Sequence, residues 1–466
     1  MIRAFVAVSV LVPLVLVAQN GTPTAPTGKS AASAFNPGRL ARIDSFVQRL
    51  VDERKIPGAV VMLVRNGQVA YHKAFGVRDL GTGAPQQRDD IFRIASQTKA
   101  ITSLAVMMLW EEGRFALDDP IGKYLPAFKD QTVLVQFNPA DSSYEARPTK
   151  RKITIRQLLT HTSGLDYADI GSDEFKAIYA KAGITGIGAE GDVLAEKIDV
   201  LGKLPLKHEP GERFTYGLSL DVLGRFVEVM SGMPLDRFFA KRIFAPLGMR
   251  DTYFELPVDK RGRLVALHEE KDGVLKPMHT PLTAATIAAA TGATNGSASG
   301  PSNGATNGAT NGATNGATNG ATNGASQDPN AKSLHPDFPA RRMTFFSGGG
   351  GLSSTTADYA RFLQLFMNGG ALGTVRLLGR KTVEMMLTNQ IGALQPAFGL
   401  GFALETPDND FRSVVSSGTF SWGGAFNTAY WADPKEKLIG LIYTNTYQST
   451  IRLGDPVKVL VYAALR

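Results

Sequence analysis

The chain has 466 residues, of which 43% are hydrophobic and 20% are charged, so it can bury a substantial core. It contains no cysteine, which excludes disulfides, a lipid-modified cysteine and thiol catalysis. The formal net charge is +8, but the basic residues are scattered apart from Lys150-Arg151-Lys152, and this pattern indicates a solvated surface without a nucleic-acid-binding role.

The N-terminal segment is typical of an export signal. Met1-Ile2-Arg3 precedes an apolar run from Ala4 to Ala18, which is too short for an ordinary membrane-spanning helix. We therefore expect residues 1–18 to be a signal peptide, and the protein to be secreted or periplasmic without a stable membrane span. Residues 19–36 are rich in Ala, Ser, Thr, Pro and Gly and are predicted to form a flexible leader before a domain over 37–466.

The two ends of this domain have matching patterns. A predicted helix with Leu40, Ile43 and Val47 on one face ends before Pro57-Gly58, and strands follow over 59–64 and 68–75, joined by Asn66-Gly67. Near the C-terminus, strands over 428–432 and 438–444 precede a helix over 456–465. The predicted fold class is α/β, an α+β sandwich in which terminal helices flank an antiparallel sheet.

The middle of the chain contains two segments with different predicted structures. Residues 96–244 are predicted to be mainly helical, and Thr154 with Gln157 forms the sequence pattern of a capping box. Residues 284–332 contain five tandem Ala-Thr-Asn-Gly copies and almost no large apolar side chain, so we expect a disordered loop. A G-x-S-x-G match at 300–304 lacks the strand before it and the helix after it that a nucleophile elbow requires.

Ser96 and Lys99 are the residues that say most about function, as a candidate nucleophile and its base. They lie at the start of a strongly helix-forming segment that ends at Gly113, and a spacing of three places their Cβ atoms roughly 5–6 Å apart on one helix face. A serine hydroxyl is a poor nucleophile until a neighbouring base takes its proton, and an amine can do so. On its own, S-x-x-K is also what a capping serine and a solvated lysine would give.

Three further segments bear on this pair. Tyr216 follows Pro210-Gly211 and precedes a helix, where a phenol beside an ammonium can carry protons, although a core tyrosine is the ordinary alternative. Gly423-Gly424 lies on a strand and would let a substrate approach closely, although paired glycines also form simple turns. The glycine run 348–351, taken alone, is no more than a flexible loop.

Together, these segments resemble the serine β-lactamase-like hydrolases, which include class C β-lactamases, penicillin-binding proteins such as D-Ala-D-Ala carboxypeptidases, D-aminopeptidases and esterases. The resemblance extends from about residue 42 to 465 and implies that family's fold. It rests on Ser96-Gln97-Thr98-Lys99, on Leu117-Asp118-Asp119-Pro120 with Tyr124-Leu125-Pro126, on Leu158 through Leu165, on Pro210-Gly211 through Tyr216, and on Ser347 through Ser354.

The resemblance implies roles for individual residues. Ser96 would be acylated, Lys99 and Tyr216 would exchange its proton, and the backbone N–H groups of Ser96 and Ala425 would form the oxyanion hole. His161, in the run Thr160-His161-Thr162-Ser163-Gly164, would be structural. The implied mechanism uses no cofactor and no metal.

Two departures from the family pattern concern the substrate. Leu218 stands where β-lactamases usually have an asparagine that binds the substrate amide, and Trp422 stands where they have a lysine or histidine that helps to bind its carboxylate. The Trp422-Gly423-Gly424 triplet resembles the esterase branch. With Leu218 and this triplet as substrate-binding residues, the sequence favours an enzyme that acts on a small ester.

Two alternatives remain open at this stage. One is a β-lactamase, D-Ala-D-Ala carboxypeptidase or D-aminopeptidase that acts on amides, and the other is a catalytically inactive binding or scaffold protein. The physiological substrate, the oligomeric state and the role of the repeat segment are likewise open.

Overall fold

The computed structural model describes residues 34–186, 191–278, 338–340 and 342–466. The predicted signal peptide (1–18), the predicted leader up to residue 33, and the predicted repeat loop (284–332) with its G-x-S-x-G match lie outside the described residues. The last part of the predicted leader belongs to the folded domain. Phe35 is fully buried, and the Asn36 side chain caps the first helix by accepting from the Arg39 N–H at 3.1 Å.

The described residues contain eleven α-helices, which are concentrated in the middle of the chain and near both of its described ends. A π-helical turn over Ala240–Phe244 joins the helix at Leu235–Phe239 to the one at Ala245–Leu247. The helices are α1 Pro37–Asp52, α2 Thr98–Glu111, α3 Ile155–Leu159, α4 Asp173–Lys181, α5 Leu194–Leu201, α6 Ser219–Ser231, α7 Leu235–Phe239, α8 Ala245–Leu247, α9 Thr356–Met367, α10 Arg380–Met386 and α11 Gly454–Ala464.

A central antiparallel sheet has seven strands within the described residues. Its spatial order is β4-β5-β6-β7-β1-β2-β3, so the first and last parts of the chain meet where β1 pairs with β7. The strands are β1 Gly58–Arg65, β2 Gln68–Asp79, β3 Ala84–Pro85, β4 Ala403–Leu404, β5 Phe420–Gly424, β6 Thr428–Asp433 and β7 Leu438–Tyr443.

Short strand pairs lie outside this sheet. The pair Thr132–Asn138 and Ser143–Pro148 is a hairpin within the region predicted to be mainly helical, and the sequence analysis missed it. The other short strands are Phe92–Arg93 with Ser353–Ser354, Ala371–Leu372 with Val375–Arg376, and the group His268–Lys271, Val274–Pro277 and Thr446–Tyr447.

The sheet has a hydrophobic cluster on each face. Side chains alternate along a strand, so Val60 and Met62 of β1 face the larger cluster, which contains most of the helices. Val61 and Leu63 face the smaller cluster, which α1 and α11 cover. Because β1 is buried on both faces, it reads as a continuous apolar run without alternation.

The helix that begins two residues after the candidate nucleophile lies at the centre of the larger cluster. The sequence predicted an apolar stripe along α2, but its residues from Thr98 to Leu109 are buried on every side. The capping box at Thr154 and Gln157 is present as predicted, with both reciprocal hydrogen bonds formed. Within the described ranges, none of the helices combines the length and apolarity needed to cross a bilayer.

Candidate active site

Ser96 lies in a tight turn at the start of α2. A 3₁₀ turn over Ala95–Gln97 leads directly into the helix. Ala95 has a φ of 43°, in the left-handed region that costs a residue with a side chain about 1–2 kcal/mol. Such strain is maintained only by surrounding contacts, and it is common at functional sites.

Two tyrosines hold this turn through Gln97. The hydroxyl of Tyr359 donates to the Gln97 backbone carbonyl at 2.8 Å, and the hydroxyl of Tyr443 donates to the Gln97 side-chain Oε1 at 2.5 Å. On the other side, the Ile94 N–H donates to the Leu352 carbonyl at 3.0 Å, which links the turn to the glycine run. The position of the candidate nucleophile is therefore fixed by segments distant in sequence.

The structure brings Ser96 and Lys99 together as predicted. Lys99 is 2% exposed, and its Nζ lies 3.3 Å from Ser96 Oγ. The same nitrogen donates to the Gly349 carbonyl at 2.6 Å and contacts the Tyr167 hydroxyl at 3.4 Å. A buried amine beside a serine hydroxyl is the arrangement that activates a nucleophile.

Two tyrosine rings enclose the Lys99 amine. Its Nζ lies 4.7 Å from the ring centroid of Tyr216 and 5.3 Å from that of Tyr167. The two rings stack on each other, with centroids 5.5 Å apart and an interplanar angle of 28°. Tyr216 thus lies beside Lys99 as predicted, but it presents its ring face to the amine.

The two phenol hydroxyls have different surroundings. The Tyr216 hydroxyl is buried and has no hydrogen-bond partner among the described residues. The Tyr167 hydroxyl reaches both Lys99 and Ser96. Burial raises the pKa of Tyr167 well above its usual value, the neighbouring Tyr216 and Asp221 raise it further, and the hydrogen bond with Ser96 lowers it.

Sequence reasoning missed Tyr167. It follows the family-like run that ends at Leu165 by two residues, and this proximity was the available signal. The Asp166 carboxylate fixes the loop by accepting from the Tyr167 N–H at 2.9 Å, from the Ser172 N–H at 3.1 Å and from Lys207 Nζ at 2.7 Å.

His161 forms part of the wall behind Tyr216. Its ring lies 4.8 Å from the Tyr216 ring, between centroids, and is almost completely buried. Burial, together with the nearby charge of Lys99, lowers the pKa of His161 well below its usual value. An uncharged, buried histidine with φ 55° fits the structural role that the sequence analysis expected.

The glycine run packs closely against α2 and α6, which corrects its interpretation as a plain flexible loop. Thr102 Oγ1 donates to the Gly348 carbonyl at 2.7 Å, one residue before the carbonyl that accepts from Lys99. A Cβ at Gly348 would lie 2.4 Å from the Leu220 carbonyl oxygen, and one at Gly349 would lie 2.3 Å from Asp221 Oδ2. Glycine is therefore required for this close approach.

The end of β5 lies beside the Ser96 turn. A Cβ at Gly424 would lie 2.4 Å from the Ile94 carbonyl oxygen, so the strand touches the segment that precedes the nucleophile. The half-buried Trp422 contacts the rings of Tyr216 and Phe398, each with centroids 5.4 Å away. Gly423 lies between Trp422 and Gly424 in the strand, and the exposed Ala425 follows the end of the strand.

Leu218 does not line this surface. It is 2% exposed and belongs to the larger hydrophobic cluster, while its N–H donates to the Asp166 carbonyl at 3.2 Å. Its prediction as a substrate-binding residue is corrected, because an apolar side chain at this position turns into the core. Within the described ranges, His, Asp and Glu side chains form no group of three or more that could hold a metal ion.

Comparison with known families identifies the chain. The family model for beta-lactamase matches residues 43–463. The chain belongs to the beta-lactamase family. The predicted fold is confirmed, and this beta-lactamase-family protein has Ser96 and Lys99 within the matched region.

Relatives of this beta-lactamase-family protein include an esterase. An uncharacterized protein of Mycobacterium tuberculosis (strain CDC 1551 / Oshkosh) is 30% identical over 421 residues, covering 85% of this chain and 87% of that protein. Esterase EstB of Burkholderia gladioli is 38% identical over 215 residues, covering 46% of this chain and 51% of EstB. The match therefore spans about half of each protein in the second case.

Solved structures show the same fold. The structure of EstCE1, described as a hydrolase with promiscuous acyltransferase activity, matches with a TM-score of 0.70 and 24% identity. The match covers 91% of this chain and 99% of EstCE1. At this identity, the likeness supports the fold of this beta-lactamase-family protein and not its activity.

Proposed function

We propose that this protein is a serine hydrolase that cleaves small, uncharged esters through an acyl-enzyme on Ser96. The observation that carries the proposal is the 3.3 Å contact between Lys99 Nζ and Ser96 Oγ at a strained, well-held turn. The name of EstB, a 38% identical relative over about half of its length, supports an ester as the substrate.

In the proposed first step, Ser96 Oγ attacks the ester carbonyl while its proton passes to the uncharged amine of Lys99. The Gly349 carbonyl holds Lys99 Nζ at 2.6 Å, so the amine is positioned before the substrate arrives. The backbone N–H groups of Ser96 and Ala425 are the proposed donors to the oxyanion. The contact between Gly424 and Ile94 supports this assignment, since it holds the end of β5 beside the nucleophile's turn.

In the proposed second step, the C–O bond to the alcohol breaks and the leaving oxygen takes the proton of the Tyr216 hydroxyl. Lys99 contacts the ring face of Tyr216 and not its hydroxyl, so the proton held by Lys99 returns to the phenolate by way of a water molecule. A buried hydroxyl without a partner is unfavourable, and the leaving oxygen would give the Tyr216 hydroxyl the acceptor it lacks. Tyr167, whose hydroxyl already contacts Ser96 and Lys99, would hold both groups in place. Water then releases the acid and returns a proton to Ser96.

The walls of the site favour an uncharged substrate. Aromatic rings of Tyr167, Tyr216, Trp422 and Phe398 form a continuous series of ring contacts beside Ser96. Lys99 is the basic side chain of this group, and its amine already donates to the Gly349 carbonyl. A substrate carboxylate would therefore lose its hydration without gaining a cationic partner among these residues.

Two other assignments bear on this proposal. The amide-cleaving alternatives, a β-lactamase or a D-Ala-D-Ala peptidase, are disfavoured because their substrates carry a carboxylate. Export directed by residues 1–18 stays a prediction.

Replacing Ser96 with alanine is expected to lower kcat/KM for a p-nitrophenyl ester by about 10⁴-fold or more, because the nucleophile is removed. The matched control is Ser103→Ala. Ser103 is buried on the same helix and its hydroxyl has no partner among the described residues, so its loss should leave kcat/KM within about threefold. Steady-state kinetics would contradict the proposal if Ser96→Ala retained wild-type activity.

Tyr216→Phe is expected to affect substrates according to their leaving group. For an ethyl ester, whose alkoxide needs a proton to depart, kcat/KM should fall by about 100-fold. For the p-nitrophenyl ester of the same acid, whose phenolate leaves unprotonated, the fall should stay below about tenfold. Tyr167→Phe is the comparison variant, and its losses should be equal for both esters. Equal losses for both esters in Tyr216→Phe would contradict the role assigned to its hydroxyl.

A substrate pair that differs in one charge tests the aromatic site. The p-nitrophenyl ester of a neutral alkyl acid should be hydrolysed with a kcat/KM at least about tenfold higher than that of the matching half-ester with a terminal carboxylate, since the carboxylate lacks a partner. A cephalosporin and a D-Ala-D-Ala peptide should also be poorer than the neutral ester. A preference for the anionic compounds would favour the amide-cleaving alternative.

A further inference from the structure

A buried carboxylate that the mechanism above does not use lies directly behind the glycine run. Asp221, in the first turn of α6, is 2% exposed. Its Oδ1 accepts from the Ser347 hydroxyl at 2.5 Å and from the Gly349 N–H at 3.1 Å. Its Oδ2 is buried and has no hydrogen-bond partner among the described residues.

Gly349 links this carboxylate to the catalytic amine. The residue donates its N–H to Asp221 and accepts from Lys99 Nζ with its carbonyl. A Cβ at this position would lie 2.3 Å from Asp221 Oδ2, so a larger residue would displace the carboxylate. A carboxylate and an amine therefore hold opposite ends of the same backbone residue.

The buried charge of Asp221 depends on the hydrogen bonds from Ser347 and Gly349 and on the nearby Lys99. Removing a carboxylate from water is costly unless charges or hydrogen bonds compensate for it. Burial raises the pKa of Asp221, whereas the charge of Lys99 and the hydrogen bonds from Ser347 and Gly349 lower it. The carboxylate is thus coupled to Lys99 both through the backbone and through space.

We propose that Asp221 is a positioning residue whose negative charge holds the Gly349 carbonyl against Lys99 and sets the pH range in which the Ser96 proton is accepted. The proposal rests on the proposed function.

The direction of the effect follows from the groups near Asp221. Among the described residues, the titratable groups around this site include Lys99 on α2, Tyr167 and Asp169 on their loop, Tyr216 before α6 and the uncharged His161. The charge of Asp221 raises the pKa of Tyr167, because a negative charge favours the protonated form of a neighbouring group. Removing it therefore moves proton acceptance beside Ser96 to lower pH.

The test is Asp221→Asn, which keeps the shape and removes the charge. Measured against pH with a neutral p-nitrophenyl ester, the acidic limb of kcat/KM should move down by about 1 pH unit. The plateau kcat should fall by about tenfold or more with little change in KM. Because folding raises the pKa of Asp221, its ionisation lowers stability at neutral pH, so the variant should have an equal or higher thermal midpoint.

Two matched variants separate charge from packing. Asp358 is 7% exposed and accepts from the Asp251 N–H at 2.7 Å and from Thr252 Oγ1 at 2.9 Å, remote from Lys99 in the hydrogen-bond network. Asp358→Asn should keep the wild-type pH profile. Ser347→Ala retains the Asp221 charge and removes one hydrogen bond, so it should keep the acidic limb within about 0.3 pH unit.

The outcomes that overturn the proposal are distinct from those that overturn the hydrolase function. An unmoved acidic limb in folded Asp221→Asn would contradict the charge role while Ser96-dependent hydrolysis by the wild type persisted. A shift of about 1 pH unit towards higher pH in Ser347→Ala would also contradict it, because a weakened Asp221 charge can move the limb only towards lower pH. This result does not require Asp221→Asn to fold. Wild-type protein without ester hydrolysis would instead remove the proposed function.

Discussion

The burial of one lysine amine beside a serine hydroxyl is the constraint on which the rest of the site depends. An amine that is 2% exposed has lost nearly all its water, and such a group is unfavourable without replacement partners. Its partners are the Ser96 hydroxyl, the Gly349 carbonyl and two tyrosine ring faces. These partners in turn depend on their own packing. The Gly349 carbonyl reaches Lys99 because the glycine run packs closely against α6, and the two tyrosine rings stack on each other.

The fold supplies these partners from segments that are far apart in sequence. α2 lies at the centre of the larger core, so Lys99 is carried by a helix that packing fixes on every side, and Ser96 lies in the turn directly before it. The central sheet brings the end of β5 against Ile94, and Tyr443 of β7 holds Gln97. The nucleophile's strained turn is therefore supported by the sheet and by the helical region together, which is how the energetic cost at Ala95 is offset.

Local patterns allowed a large part of the fold to be predicted. Asn66-Gly67 indicated the β1–β2 turn, and both residues have positive φ, as a tight hairpin requires. Thr154 and Gln157 indicated the start of α3 because a capping box depends on four consecutive residues. Ser96 and Lys99 were found for the same reason, because a spacing of three positions at the start of a helix determines the distance between the two side chains.

Features that depend on tertiary contacts could not be predicted in this way. Gly349 accepts from Lys99 across a sequence separation of 250 residues, and nothing local marks that carbonyl as its partner. Asp221 has no local sequence signal either, because its position beside Lys99 arises only from packing against the glycine run. Leu218 was assigned to the substrate from the resemblance alone, whereas its burial is decided by the core around it.

Locating the covalent bond is the most direct test of the account. The protein would be treated with a fluorophosphonate, digested, and examined by tandem mass spectrometry to find the residue that gains the phosphonyl mass. The account predicts the adduct on Ser96, with no adduct in a variant whose Lys99 is replaced by methionine. An adduct on another residue, or ester hydrolysis that continues with Ser96 fully modified, would contradict it.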